Sequence, residues 1–226
     1  MADLPSYINI LFEATVLVTI IWFHYAVRSR TFLFLMIGWT ILQSVIGLSG
    51  IYQDTESMPP NMVLYGVLPT LLAMAVVFLT KKGREFMGRI NVKTLTYFHS
   101  IRIPVEIVLA LLFYYGLVSV YMTFEGTNFD IFSGATAAFM AYFSYRKAGS
   151  RKTLLLVWNI ICLFLLLNVV TAAVLTLPSP FQMISLEQDA FAVLHFPFNL
   201  LPTVIVPLVL FAHLVAIRRL TLKSKK

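Results

Sequence analysis

Residues 154–170 read LLLVWNIICLFLLLNVV. The run carries no charge and does not alternate polar with apolar side chains. A membrane-barrel strand needs segments of roughly 10 residues that do alternate, so this stretch is read as a helix, apolar on all sides. With its flanks it covers 153–176, long enough for a hydrocarbon core that takes about 20 apolar residues to cross.

Six more runs of this kind lie outward from it, at about 8–27, 32–51, 62–80, 104–123, 129–145 and 200–217. The composition agrees: 59% of the 226 residues are hydrophobic and 12% are charged, half the roughly 25% of a soluble domain. Mean hydropathy is +0.86. The expected fold is all-α, a polytopic membrane bundle of about seven transmembrane helices, in which 1–226 forms a single transmembrane domain. The opening MADLPSYIN has no basic stretch and carries Asp3, which argues against a cleaved signal and for a retained first helix with its N-terminus outside.

The basic residues orient the spans. Arg28 and Arg30, the group from Lys81 to Arg102, the group Arg146–Lys152 and the tail from Arg218 hold all 17 Lys and Arg, in the breaks after spans one, three, five and seven. The other breaks and the N-terminus carry Asp3, Asp54, Glu56, Glu125, Asp130, Glu187 and Asp189. By the positive-inside rule the C-terminus is cytoplasmic. The net charge of +7 then reflects topology and anionic lipid headgroups, not nucleic-acid binding. The expected location is a bacterial inner (plasma) membrane. Two connections exceed turns. Residues 81–103 read as a cytoplasmic amphipathic segment at the interface, and 177–199 as a short helix over the outer mouth.

Ionisable and amide groups within or beside the spans are the candidate binding residues, since such groups are costly in lipid. On the outer side these are Glu13, Gln43, Glu125, Asn128, Asp130, His195 and Asn199; on the inner side, His99, Arg102 and Glu106. Each has a structural reading beside the functional one. His99, Arg102 and Glu106 share a face of a continuous helix, yet Pro104 also fits the first position of a helix, which would place Glu106 in its first turn and let Arg102 reach the interface. Asn128 or Thr127 suits an N-cap, with Asp130 in the first turn. Gln43 and Asn168 suit interhelical hydrogen bonds, and Glu13 is expected to face the interior or an outer cavity. Ser133, Gly134, Ala137, Ala138 and Ala141 form a small-residue stripe, which points to a central position for the fifth span. No cofactor is expected. The lone Cys162 offers neither a disulfide nor a thiolate metal site. His24 and His213 are weak candidates for axial haem or metal ligands.

Two series of landmarks align: Phe23-His-Tyr25, Ser29-Arg30 and Trp39-Thr-Ile41 with Phe143-Ser-Tyr145, Ser150-Arg151 and Trp158-Asn-Ile160, followed by Leu68-Pro69-Thr70 with Leu201-Pro202-Thr203. They outline a 3+1+3 parallel repeat, a plan found in carriers with midplane sites. In size, topology and repeat scheme the chain resembles the seven-helix sugar carriers, but its first helix, ILFEATVL, has no proline, and no residue is carried over. The seventh span also lacks the lysine a retinal Schiff base would need. The phrases HSIRIPVEIVL (99–109), MTFEGTNFDIFSGATA (122–137) and FPFNLLPTVIVPLVLFAHL (196–214) are similar to an uncharacterised family of bacterial multi-pass membrane proteins. That resemblance implies a fold and a membrane, and no activity.

No glycine-rich phosphate loop, His-Glu-x-x-His or Gly-x-Ser-x-Gly motif is present. The expectation is a carrier or binding protein for a small molecule or lipid, with the bilayer as its partner and a homo-oligomer compatible with the sequence. An intramembrane enzyme or redox protein and a membrane scaffold are the alternatives.

Overall fold

The computed structural model describes residues 4–146, 151–184 and 191–222. The charges at Asp3, Lys147, Glu187 and Asp189, and those of the tail beyond 222, lie outside the described residues. So does the middle of the outer segment 177–199.

Helix α1 spans Ser6–Val27 and ends where Arg28 turns left-handed, at φ 54°. Ser29 then caps α2, Arg30–Leu48, by accepting the Phe32 N–H at 3.3 Å. Helix α3, Met62–Leu79, opens with a wide turn over Met62–Val67. A short α4, Lys81–Arg89, is capped by Thr80, and α5, Val92–Tyr114, starts on the Asn91 side chain. Helices α6, Asp130–Tyr145, α7, Lys152–Thr176, and α8, Leu201–Thr221, complete the bundle. Among the described residues, six helices, α1, α2, α3, α5, α7 and α8, are long and apolar enough to cross a membrane. Helix α6 has 16 residues, about 24 Å of rise.

The fourth apolar helix begins twelve residues earlier than the sequence suggests and ends at Tyr114 rather than 123. Pro104 is therefore inside it. A proline removes one backbone donor and crowds the carbonyl four residues back. Here the helix tightens into a 3₁₀ turn at His99–Ile101 just before the proline, then resumes. Residues 92–103 thus belong to the bundle core, where Leu95, Phe98 and Ile101 are buried, and not to an interfacial segment. Helix α4 keeps the amphipathic role. Its last carbonyls are held by Arg219 of α8, which donates to Met87 O at 3.0 Å and Ile90 O at 3.2 Å.

The core runs along α1, α5 and α8. Phe12 meets Phe198 and Phe23 meets Phe98, each with ring centroids 5.1 Å apart. The central helices are α5 and α8, with 61% and 67% of their apolar windows buried, against 11% for α2. The fifth span is not central. Its small stripe is nonetheless used: Ser133, Gly134, Ala137 and Ala141 are buried, while Ala138 faces out. A Cβ on Gly134 would stand 3.0 Å from Ile103 Cγ1 and 3.2 Å from Arg102 Cβ, so the missing side chain sets how closely α6 approaches α5.

Residues 115–129 explain why α6 is short. Asp130, at its start, sits beside Arg102, twelve residues before the end of α5 and so about 18 Å below that end. The connection descends into the bundle to reach it. Val118, Ser119, Thr123 and Asn128 are buried, and the segment pairs its own backbone groups. Met122 N–H donates to Ser119 O, Thr123 N–H to Val120 O, and Asn128 N–H to Thr123 O. Asn168 of α7 donates to Thr127 O at 2.7 Å. Backbone buried in this way needs its polar groups paired, and these bonds supply partners.

Candidate functional site

Arg102 is the organising residue. Only 2% exposed, it does not reach an interface as the sequence reading allowed. Its Nη1 donates to Asp130 Oδ1 at 2.9 Å and its Nη2 lies 2.7 Å from His213 Nε2. A guanidinium only donates, so His213 Nε2 accepts, and His213 carries its proton on Nδ1. That proton goes to Asn159 Oδ1 at 2.9 Å, while the Asn159 amide donates to Leu155 O at 2.8 Å. Ser133 donates to Asp130 Oδ1 at 3.3 Å. Four helices, α5, α6, α7 and α8, thus contribute to one chain of polar contacts.

Glu106 lies one turn beyond Arg102 on α5. It does not cap a helix start: it is buried, and both carboxylate oxygens take a hydrogen bond at 2.8 Å from the single Asn128 Nδ2. The same nitrogen donates to Met122 O, and Asn128 Oδ1 accepts the Asp130 N–H at 2.9 Å. Asn128 therefore holds the descending segment, the start of α6 and Glu106 together. The expected cap survives in part, as this one contact to the first turn.

His99 stacks on His213 with centroids 3.9 Å apart and planes inclined by 15°. Trp158 closes the stack edge-on, 5.6 Å from His99. Neither His99 ring nitrogen, nor Arg102 Nε, has a hydrogen-bond partner among the described residues, though all are buried. A buried donor or acceptor without a partner carries a desolvation cost of about 1–3 kcal/mol, so such groups are open to a ligand or to water.

The other sequence candidates fall elsewhere. Gln43 and Asn199 form a separate junction: Tyr52 donates to Gln43 Oε1, Gln43 Nε2 to Tyr65 O at 3.0 Å, and Asn199 Nδ2 to Gln43 O at 2.8 Å. Trp39 adds a bond to Thr203 O at 2.9 Å. This junction locks α2, α3 and α8. Glu13 faces outward from α1 and Glu125 is exposed on the loop, so neither joins the network. His195 is half-buried and bonds Phe191 O within its own turn at 2.9 Å. His24 is half-buried near the end of α1. The structure pairs His213 with His99 rather than with His24, and both His213 nitrogens are engaged, so a metal there would have to displace Arg102 or Asn159. Sequence reasoning overlooked Asn159 and Ser133 as members of the site. An asparagine, one of two in the charge-free 154–170 run, was the available signal.

A cleft of about 360 Å³ leads to the network. One wall is α3 (Met62, Val63, Leu71), the facing wall is α7 (Leu167, Val170, Val174), and α8 forms the back (Ile205, Val206, Leu210). Tyr52, Asp54 and Asn61 stand at its outer end; Arg102, Glu106 and Asp130 line its deep end. Val63, Leu71, Leu167 and Val174 are also exposed on the outside of the bundle, so the cleft opens sideways as well as outward. Gln43 and Glu13 do not line it.

A set of apolar helices around a buried ion pair and an apolar cleft defines an all-α protein of the multi-helix type. The chain belongs to the family described as Domain of unknown function (DUF8737), which matches residues 59–221. Every member of the buried network lies inside the matched region. Comparison with curated proteins and with solved structures found no match.

Proposed function

We propose that this chain is an integral membrane protein that binds an amphiphilic small molecule or lipid in the cleft between α3 and α7, as a carrier or binding protein. The reading places the N-terminus outside and the C-terminus in the cytoplasm. Support for the membrane comes from the outer faces: Phe34, Leu35, Ile41, Leu42, Val45 and Leu48 of α2, and Ile161, Phe164 and Leu167 of α7, are exposed. Apolar surface on that scale needs lipid or a partner. Among the described residues, Arg102 is then the one lysine or arginine inside the bundle rather than at its cytoplasmic edge.

The observation that carries the binding reading is the cleft itself. It is apolar along its length, open to the side, and ends on Arg102, Glu106 and Asp130. Ligand sites are concave, mostly apolar and furnished with a few placed polar groups. A molecule with an apolar body and a polar head has the complementary form. Parallel-repeat carriers also hold substrate deep in the bundle, and the wide turn that opens α3 packs closely on the Leu201-Pro202-Thr203 segment at the start of α8: a Cβ on Gly66 would stand 2.5 Å from Thr203 Cγ2.

The test is photo-crosslinking with an amphiphile that carries a diazirine in its tail. Labelling of α3 and α7 peptides, reduced when Val170→Trp fills the cleft, is the expected result. Labelling confined to the outer faces of α2 would contradict the proposal.

A further inference from the structure

The charges on the cleft specify the head of its ligand. The charged residues among those lining it are Asp54, Glu106, Asp130 and Arg102, three carboxylates and one guanidinium. Arg102 is committed to Asp130 at 2.9 Å. That leaves Glu106, 1% exposed, facing the deep end with only the Asn128 amide as a donor. A carboxylate accepts at about four lone-pair positions, and a single NH₂ group leaves much of that capacity open. At the mouth, exposed Asp54 gathers donors from Ser57 and Asn61 and presents a second negative charge. Among the described residues, no lysine or histidine lines the cleft. An unpaired charge in an apolar environment is costly unless an opposite charge meets it.

From this lining we infer that the ligand is an ammonium-bearing amphiphile, its cationic head against Glu106 and its apolar body between α3 and α7. The inference rests on the cleft being the binding site and adds the sign of the ligand. Asp54 at the mouth attracts the cation, and Glu106 holds it. Arg102 Nε, buried without a partner, is a donor for an oxygen near the ammonium, as in an ethanolamine headgroup. Two sources share this chemistry: an aminolipid from the bilayer and a free lipophilic amine. An anionic amphiphile would leave Glu106 unpaired and meet the second negative charge, Asp54, at the mouth.

The experiment compares two probes of nearly equal shape and opposite charge, tetraphenylphosphonium and tetraphenylborate, by equilibrium binding to the full chain in an uncharged detergent. Tetraphenylphosphonium should bind at least about tenfold more tightly than tetraphenylborate. Glu106→Gln, which keeps the acceptor for Asn128, should weaken the cation at least about tenfold. Val170→Trp, which fills the cleft from its α7 wall, should weaken both probes equally. It keeps the test valid should Glu106→Gln fail to fold. Displacement by phosphatidylethanolamine assigns the lipid source, displacement by dodecyltrimethylammonium alone assigns a free amine, and displacement by neither overturns the inference. Equal or tighter binding of tetraphenylborate, lost in Val170→Trp, also overturns it while leaving the cleft as a binding site. Binding of neither probe, nor of an uncharged amphiphile, removes the site as well.

Discussion

Replacing Asp130 by leucine tests the buried network most severely. Asp130 and Arg102 are 5% and 3% exposed at their side chains and 2.9 Å apart. The substitution leaves the guanidinium buried with His213 and no counter-charge. Breaking a buried pair from one side costs about 3–5 kcal/mol. At roughly 2–4 °C per kcal/mol for a chain of this size, the unfolding midpoint should fall by about 6–20 °C. Asp130→Asn keeps an oxygen for Arg102 and Ser133 and should lose less. The double variant Arg102→Met, Asp130→Leu removes both charges and should recover part of the loss, because an apolar pair of similar volume is often no worse than the ion pair. The assay is intrinsic fluorescence during heating in detergent, with Trp158 beside the network as a reporter. A midpoint within about 2 °C for Asp130→Leu, or a double variant worse than the sum of the singles, would refute the assignment of Arg102 as a buried cation held by Asp130.

Gly126→Ala should destabilise the protein by about 1–3 kcal/mol, read by the same heating assay, because a Cβ there would collide with Val120 O in the descending segment. Gly134→Leu should lower stability similarly by pushing α6 off Arg102 and Ile103, whereas Ala138→Leu, on the outward face, should change the midpoint little. Burial pushes the Tyr52 hydroxyl up to about 12 from the ordinary 10.0. Since the folded state holds that proton more tightly, stability is fully present below about pH 10 and falls as pH rises from 10 towards 12; ultraviolet titration should show a late-ionising tyrosine component, and Tyr52→Phe should diminish it. Glu13→Gln should leave ligand binding unchanged, because Glu13 faces away from the cleft; a large effect in the binding assay would contradict that placement.

Much of the architecture was readable because long apolar runs have only one economical structure. The runs at 8–27, 32–51, 62–80 and 153–176 correspond closely to α1, α2, α3 and α7. Where local chemistry offers two solutions, the sequence misleads. Pro104 opens helices more often than it interrupts them, and only the 3₁₀ turn at His99–Ile101, with Phe98 and Ile101 packed in the core, reveals a helix running through it. The descending segment 115–129 was hidden because its burial depends on Asn128 and Asn168 pairing its backbone, which spacing does not encode. Arg102 and Glu106 were legible as a shared helical face. The partners of Arg102, Asp130 and His213, come from two other helices, Asn159 joins through His213 from a third, and the stacking of His99 on His213 joins residues 114 positions apart. Glu13 stands as the opposite case, a carboxylate inside an apolar run whose direction the flat apolar pattern of α1 could not indicate.

A sideways-opening apolar cleft that ends on the buried Arg102, Glu106 and Asp130 has the form to hold an amphiphile. An experimental structure of the full chain in a lipid nanodisc measures this directly. Elongated density should lie between α3 and α7, its polar end within hydrogen-bond distance of Glu106. A bundle in which α3 packs against α7 and the space above Arg102 is filled by protein side chains would contradict it.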